Sequence, residues 1–161
     1  MPASNSAELV LLRHGIAEPR QAGRDHPDRP LTAAGRQRTQ LVMAALVRRG
    51  LRLDRLLSSP YRRALQTAEL ALEAGLASRL VVDERLKPGG ALETLLSSVD
   101  GRLGLVGHEP DLGDLACMLL GCPPGGLLLK KAGVIQLHCS AGQWQLQTLL
   151  RPALLIEDLS C

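Results

Sequence analysis

The chain has 161 residues, a length that suits one globular domain able to bury an apolar core without metals or disulfides as supports. Its 19 basic and 16 acidic residues give a net charge of +3, and the arginines are scattered along the chain. With one Trp, one Tyr and no Phe, the chain offers little surface on which bases could stack, so composition argues against a nucleic-acid partner.

The first eight residues are polar and lack the basic and apolar regions of a signal peptide, and no apolar stretch has the length of a membrane span. We therefore expect a soluble cytoplasmic protein without a membrane partner, and we interpret residues 1–6 as a disordered tail. In a reducing compartment the four cysteines are expected to be free thiols, and their spacing does not favour a zinc site. They are Cys117, Cys122, Cys139 and Cys161.

The chain begins with a strand-loop-helix pattern. The apolar run Leu9–Leu12 predicts a buried strand, and the polar segment Ile16–Pro30 is long enough to form a wall of an active site. Thr32 is a typical helix N-cap, and Gly50 ends the helix that follows. The predicted buried stripe of this helix consists of Leu41, Val42, Ala45 and Leu46.

The same pattern recurs in the middle of the chain. A second strand is predicted over Leu53–Ser58, with Pro60 at the first position of the helix that follows. A short third strand over Leu80–Val82 precedes another helical spacing of leucines, from Leu92 to Val99.

The last third changes character. A fourth strand over Leu103–Val106 leads into a helix that carries Leu112 and Leu115, and then two strands follow as a hairpin, Val134–His138 and Gln143–Leu149. Strands that alternate with helices predict a parallel sheet, whereas the hairpin predicts an antiparallel edge strand. The sequence thus predicts one α/β domain over residues 1–161, a three-layer α/β/α fold with a mostly parallel central sheet.

Chemically active side chains follow three of the predicted strands. These positions are Arg13-His14-Gly15, Ser58-Ser59-Pro60 and Gly107-His108. In an open parallel sheet, ligands bind beyond the carboxyl ends of the strands, so these residues are expected to meet. Arg62 and Arg63 lie in the first turn of the second helix, where backbone amides favour an anion. Two histidines and at least two arginines around one site indicate phosphoryl chemistry.

These residues resemble the motifs of the histidine phosphatase superfamily, which includes the phosphoglycerate mutases. Four motifs match in the right order and span most of the chain. They are Leu12–Gly15 (LRHG), Pro30–Gly35 (PLTAAG), Ser59–Ala68 (SPYRRALQTA) and Val106–His108 (VGH). The short length and the context Asp28-Arg29-Pro30 are most similar to the bacterial phosphohistidine phosphatases of the SixA type.

The resemblance implies a phosphoglycerate mutase-like fold and a role for each motif residue. His14 attacks phosphorus and becomes a phosphohistidine, while Arg13, Arg63 and His108 hold the phosphoryl oxygens. Arg29 adds a further oxygen contact. Neither a metal nor a cofactor is expected, because side-chain cations already offset the phosphoryl charge.

Two further residues are candidates for the substrate site. Gly15 allows the backbone to leave strand geometry, so that Arg13 and His14 converge, and it allows a ligand to come close. Ser59 either touches phosphate or caps the helix that follows, and its position favours capping.

One departure from the family pattern concerns the leaving group. Many members carry an acidic residue after the third strand, and the local pattern places that position on Pro88. Glu84 is out of register, and Glu93 stays open as an alternative although helical periodicity places it opposite the apolar stripe. An alkoxide needs a proton when it leaves, but the imidazole of a phosphohistidine needs it less. The missing acid therefore favours phosphohistidine on a protein as the substrate.

Two other functions remain open. One is a phosphomonoesterase or mutase acting on small metabolites, and the other is a module that binds phosphohistidine or phosphate without turnover. Among the remaining polar residues, Arg62, His26 and His138 are interpreted as surface or packing residues. Arg20 and Arg24 either recruit an acidic partner or are solvated loop charges.

Overall fold

A central six-stranded sheet with helices on both faces forms the fold in a computed structural model, which describes residues 6–157. The strands are β1 (Ala7–Arg13), β2 (Arg55–Ser58), β3 (Leu80–Val82), β4 (Arg102–Gly107), β5 (Val134–Ser140) and β6 (Gln143–Leu150). The helices are α1 (Ala33–Arg48), α2 (Arg62–Glu73), α3 (Asp111–Leu120) and α4 (Pro152–Glu157), with 3₁₀ segments at Glu84–Leu86 and Leu92–Ser98. Within residues 6–157, every helix is too short or too polar to cross a bilayer.

The strand order is β3-β2-β4-β1-β5-β6. The first four strands are parallel, β5 runs antiparallel to β1, and β6 runs antiparallel to β5. The predicted three-layer α/β fold with an antiparallel edge is therefore confirmed. Because β1 and β4 are parallel neighbours with Arg13 opposite Gly107, their carboxyl ends bring the two histidine motifs side by side.

Strand β1 shows how the sheet builds a core on each face. Its alternate side chains Val10 and Leu12 pack with α1, α2 and α4, while Leu9 and Leu11 pack with α3 and the 3₁₀ segment Leu92–Ser98. All four are essentially inaccessible to solvent. A strand buried on both faces is a continuous apolar run, which is the pattern that the sequence shows.

Helix α1 begins as predicted, since the Thr32 hydroxyl accepts a hydrogen bond from the Gly35 amide. The predicted stripe is wrong at Leu41, which is 41% exposed. The buried side of α1 instead passes through Thr39, Val42 and Leu46, residues three or four apart, and Leu41 lies outside that repeat.

Two boundaries and one helix type also differ from the prediction. Strand β2 is shorter at its start, because Leu53 only forms an isolated bridge with Ala77. Helix α2 begins at Arg62 rather than Pro60, and the leucines from Leu92 onward form a 3₁₀ segment rather than an α-helix. The predicted disordered tail falls mostly outside the described residues, and Ser6, which is described, shares a hydrogen bond with the His138 ring.

Candidate active site

The site forms where the carboxyl ends of β1 and β4 meet the first turn of α2. The His14 amide donates to the Gly107 carbonyl, which ties the two strand ends together. The ring centroids of His14 and His108 are 5.3 Å apart, and the Nε of Arg63 donates to Nε2 of His14 over 3.3 Å. All three side chains are buried. The structure thus brings together residues that are far apart in the chain, since His14 and Arg63 are separated by 49 positions.

His14 is held in a single tautomer. Its Nδ1 lies 2.7 Å from the Gly15 carbonyl oxygen, which can only accept a hydrogen bond, so Nδ1 carries the proton. Nε2 therefore has the lone pair, and it accepts the hydrogen bond from Nε of Arg63. This is the arrangement that a nitrogen nucleophile requires.

Burial and charge keep His14 neutral. Burial above all, followed by the charges of His108, Arg63 and Arg13, lowers the pKa of His14 to about 3, although the hydrogen bond to the Gly15 carbonyl acts in the opposite direction. Burial and then the charge of Arg63 lower the pKa of His108 to about 4. Both rings are consequently neutral at physiological pH.

This protonation state makes folding stability depend on pH. In the unfolded chain both imidazoles titrate near a pKa of about 6.5, so below that pH the unfolded state binds protons that the folded state does not. We expect the free energy of unfolding to fall as the pH drops from about 7 to about 5. Urea unfolding at several pH values measures this slope. A His14→Gln/His108→Gln variant should flatten it, and an unchanged slope in that variant would contradict the assignment.

Arg13 ends β1 and lies at the edge of the site. Its Nη1 donates to the Leu129 carbonyl over 2.9 Å, while its Nε is buried without a hydrogen-bond partner among residues 6–157. Burial lowers the pKa of Arg13, and the charge of Glu109 opposes this effect. A buried, unpaired N–H on a cation is a donor available to a phosphoryl oxygen.

The structure places Arg29 and Arg63 on either side of Asp25. Asp25 Oδ1 accepts from the Nε and Nη2 of Arg29, and Oδ2 accepts from Nη2 of Arg63 over 2.8 Å. Burial acts to raise the pKa of Asp25, but the hydrogen bonds and charges of the two arginines leave it below its usual range. Asp25 thus positions two cations, and sequence reasoning missed it because nothing in the loop sequence marks it.

Ser59 contacts His108 instead of the open part of the site. Its Oγ lies 2.8 Å from Nε2 of His108 and accepts from the Tyr61 amide, in the turn before α2. The Ser59 hydroxyl therefore orients His108, and the direct contact of Ser59 with substrate stays a prediction. The other ring nitrogen, Nδ1, is buried and unpaired within the described residues. That nitrogen is available to substrate.

Gly15 packs tightly and does not line the open space of the site. Its amide donates to the Thr67 hydroxyl, and a Cβ at this position would lie 2.2 Å from the Oγ1 of Thr39. Gln66 forms a similar hydrogen bond to the backbone, because its Oε1 accepts from the Leu31 amide. Gln66 and Thr67 of the third motif thus fix the backbone of the first two motifs, and the substrate contact of Gly15 stays a prediction.

Gly15→Ala tests this packing. We expect a loss of about 1–3 kcal/mol in the free energy of unfolding, because the new methyl group overlaps the Thr39 hydroxyl. Adding Thr39→Ala removes the hydroxyl oxygen and should recover part of the loss. Equilibrium unfolding of the single and double variants gives the coupling between the two positions. Strictly additive losses would show that the two groups do not collide.

The pocket at this site has a volume of about 290 Å³. Its basic and imidazole lining consists of Arg13, His14, Arg20, Arg29, Arg63, His108 and Lys131. Lys131, which sequence reasoning missed, comes from the turn before β5. Partial burial, followed by the charges of Arg13, Arg29, Arg20 and Arg63, lowers the pKa of Lys131. The pocket therefore matches a small, highly charged anion.

The carboxyl groups of the pocket differ from those considered in the sequence. Pro88 lines the pocket at the position where the family pattern implies an acid. Glu84 pairs with Lys87 on the surface, and Glu93 lines a separate depression. Glu109 also lines the pocket, and burial raises its pKa although the Gly113 amide and Arg13 act against this. Its place directly after His108 was the signal that could have identified it.

The remaining candidates lie outside the catalytic contacts. Arg62 is exposed, and the side chain of His26 is 66% exposed. Arg20 lines the pocket, whereas Arg24 lines a neighbouring loop cavity. The three described cysteines are free thiols, as predicted, and Cys161 lies outside the described residues.

Sequence comparison assigns this arrangement to a family. The sequence model of the histidine phosphatase superfamily (branch 1) matches residues 9–98, which include three of the four motifs. The chain belongs to the histidine phosphatase superfamily. An uncharacterised protein of Picosynechococcus sp. is 41% identical over 149 residues, which cover 88% of this chain and 90% of that protein.

Solved structures show the same fold. The crystal structure of a candidate phosphohistidine phosphatase SixA from Agrobacterium tumefaciens has a TM-score of 0.77 at 25% identity, covering 91% of this chain and 98% of that one. A mycobacterial glucosyl-3-phosphoglycerate phosphatase has a TM-score of 0.68 at 23% identity, covering 89% and 98%. This member of the superfamily is thus SixA-like in structure, with the phosphoglycerate mutase-like α/β fold.

Proposed function

We propose that the chain is a metal-independent phosphatase that removes the phosphoryl group from phosphohistidine on a protein. The observation that carries the phosphatase activity is the neutral His14, with its proton on Nδ1 and its Nε2 lone pair directed at Arg63. A phosphoryl group that replaces the Arg63 contact meets the lone pair on one side and guanidinium N–H donors around it.

The reaction proceeds in two transfers. Nε2 of His14 bonds to phosphorus as the bond to the leaving nitrogen breaks, and the leaving imidazole takes a proton from solvent or a neighbouring group. Water then attacks the phosphohistidine, so that inorganic phosphate leaves and His14 is restored. Arg13 and Arg63 offset the charge on the phosphoryl oxygens in both steps, and His108 contacts these oxygens through its Nδ1, which is unpaired within residues 6–157.

Phosphohistidine is favoured over a phosphate ester by two observations. Pro88 occupies the pocket wall where the family pattern implies an acid, and the structural likeness includes a candidate SixA phosphatase. We place the reaction in the cytoplasm, with a phosphorylated protein as the partner.

Trapping the covalent intermediate tests this function. The protein is mixed with phosphoramidate, quenched in alkali, and digested for mass spectrometry. We expect a phosphoryl group on the peptide that contains His14, stable in alkali and lost in acid, as a phosphoramidate bond requires. Failure to phosphorylate any histidine while phosphate is released would overturn the mechanism. Binding without release would instead support a non-catalytic module.

A second function, hydrolysis of small phosphate monoesters, is favoured by Glu109. Its carboxyl lines the pocket and has a raised pKa, which are the properties of a group that protonates a leaving alkoxide.

Glu109→Gln separates the two functions. We expect hydrolysis of a phosphohistidine peptide to change by less than about threefold, because the imidazole leaving group does not depend on that acid. If the protein is a monoesterase, the variant should lose about 10²-fold or more on an alkyl phosphate while keeping its rate on an aryl phosphate with a good leaving group. The matched control is Glu93→Gln, since Glu93 lines a different depression. Phosphate release on the three substrates is the measurement.

A further inference from the structure

A second cavity adjoins the active-site pocket and is basic. Its volume is about 510 Å³, and it shares Arg13 and Lys131 with the pocket. We call it the basic groove, and its charged lining consists of Arg13, Arg38, Lys130, Lys131 and Arg151. Among the described lining residues, which extend to Ala153, there is no carboxylate. Five cations in one groove exceed the net charge of +3 of the whole chain.

Several other basic residues form ion pairs with carboxylates on the surface. Arg102 pairs with Asp54, and Arg85 pairs with Asp83. Within residues 6–157, by contrast, Arg38, Lys130, Lys131 and Arg151 form no ion pair with a carboxylate. Unpaired like charges repel one another, so an anion that binds in the groove removes an unfavourable interaction.

The turn that carries Lys130 and Lys131 is fixed to the catalytic strand. The Ala132 amide donates to the carbonyls of Arg13 and His14, and Nη1 of Arg13 donates to the Leu129 carbonyl. Leu129 and Ala132 are buried, whereas the two lysines are exposed. The backbone therefore places both lysines in a fixed position next to the catalytic strand.

We propose that the basic groove docks an acidic segment of the substrate protein, whose carboxylates lie next to the phosphohistidine that enters the pocket. Apart from Arg13, the cations of the basic groove come from three places in the fold: α1, the turn before β5 and the residue before α4. Lys130, Lys131 and Arg151 are exposed, so the groove is open to solvent and is not a buried pocket. Such a distribution fits a row of carboxylates better than one compact phosphate group. This inference rests on the proposed function.

Peptides that differ only in charge test it. The probes are synthetic peptides with one phosphohistidine, flanked either by Asp and Glu or by Asn and Gln, and kcat/KM is measured by phosphate release. We expect the acidic peptide to be preferred by about tenfold or more at low ionic strength, and the preference to shrink as salt is added.

A charge-reversal variant links the preference to the groove. Lys130→Glu/Arg151→Glu should bring the acidic-to-neutral ratio to about one or below, while turnover of free phosphoramidate changes by less than about threefold. Arg48→Glu/Arg79→Glu is the matched control, because these exposed arginines lie near the opposite end of the sheet and carry the same charge change. It should keep the preference of the native protein.

The outcomes separate this inference from the proposed function. Equal rates on the two peptides, or a preference that survives in Lys130→Glu/Arg151→Glu, would overturn the groove as a docking site. So would a groove-dependent preference for a small bisphosphate over its monophosphate, without any peptide preference, since the groove would then hold a second phosphate. If neither phosphohistidine peptide is hydrolysed although phosphoramidate is, the proposed function itself fails.

Discussion

His14→Ala is expected to lower kcat/KM by at least about 10³-fold, because the variant has no nucleophile to accept the phosphoryl group and water must attack directly. The arginines and His108 remain, so phosphate binding should persist. Initial rates on phosphoramidate, with binding of inorganic phosphate measured by calorimetry, check both parts of this prediction.

The matched control is His138→Ala. His138 lies in β5 and shares a hydrogen bond with Ser6, so its loss should leave the rate unchanged. A His14→Ala protein that stays folded and keeps a rate within about tenfold of the native protein would rule out covalent catalysis at this position.

Arg63→Met is expected to lower kcat/KM by about 10- to 100-fold, the loss that corresponds to one charge-assisted hydrogen bond of about 1.5–3 kcal/mol. Arg63 is 2% exposed and contacts both Asp25 and His14, so the change removes an oxygen donor and frees Asp25. Methionine keeps much of the side-chain volume. We expect kcat/KM to fall and the dissociation constant of inorganic phosphate to rise in the same variant.

The neighbouring arginine supplies the control for this prediction. Arg62→Met removes the same charge from an exposed position one residue away, and it should change the rate by less than about twofold. Because Asp25 loses a partner in Arg63→Met, the thermal midpoint must be measured for both variants. Equal effects of the two substitutions on the rate would show that only the overall positive field matters.

The network around Asp25 explains how several cations share a small pocket. Asp25 accepts hydrogen bonds from Arg29 and Arg63, which offsets part of the repulsion between the two guanidinium groups. Burial keeps the two histidines neutral and adds no further charge. A phosphoryl group can therefore enter a site in which the fixed cations are already oriented, so that little reorganisation accompanies the reaction.

Local patterns predicted the elements that carry the nucleophile. The run Leu9–Leu12 is a strand, the motif Ser59–Ala68 covers the start of α2, and His108 follows β4. These predictions succeeded because each depends on neighbouring residues, and because parallel strands bring their carboxyl ends to one edge. Leu41 was misplaced, since a helical stripe can be drawn through more than one set of apolar residues until the sheet selects one.

The sequence by itself determined the alternation of strands and helices and the residues that carry the chemistry, because periodicity and motif spacing are local properties of the chain. Only the tertiary structure decided which groups surround the nucleophile: Lys131 from the turn before β5, Glu109 after β4 and the Ser59 hydroxyl on His108. The hydrogen bond from Arg13 to the Leu129 carbonyl joins residues that are 116 positions apart in the chain. Such contacts depend on how strands are ordered in the sheet, and no local pattern encodes that order.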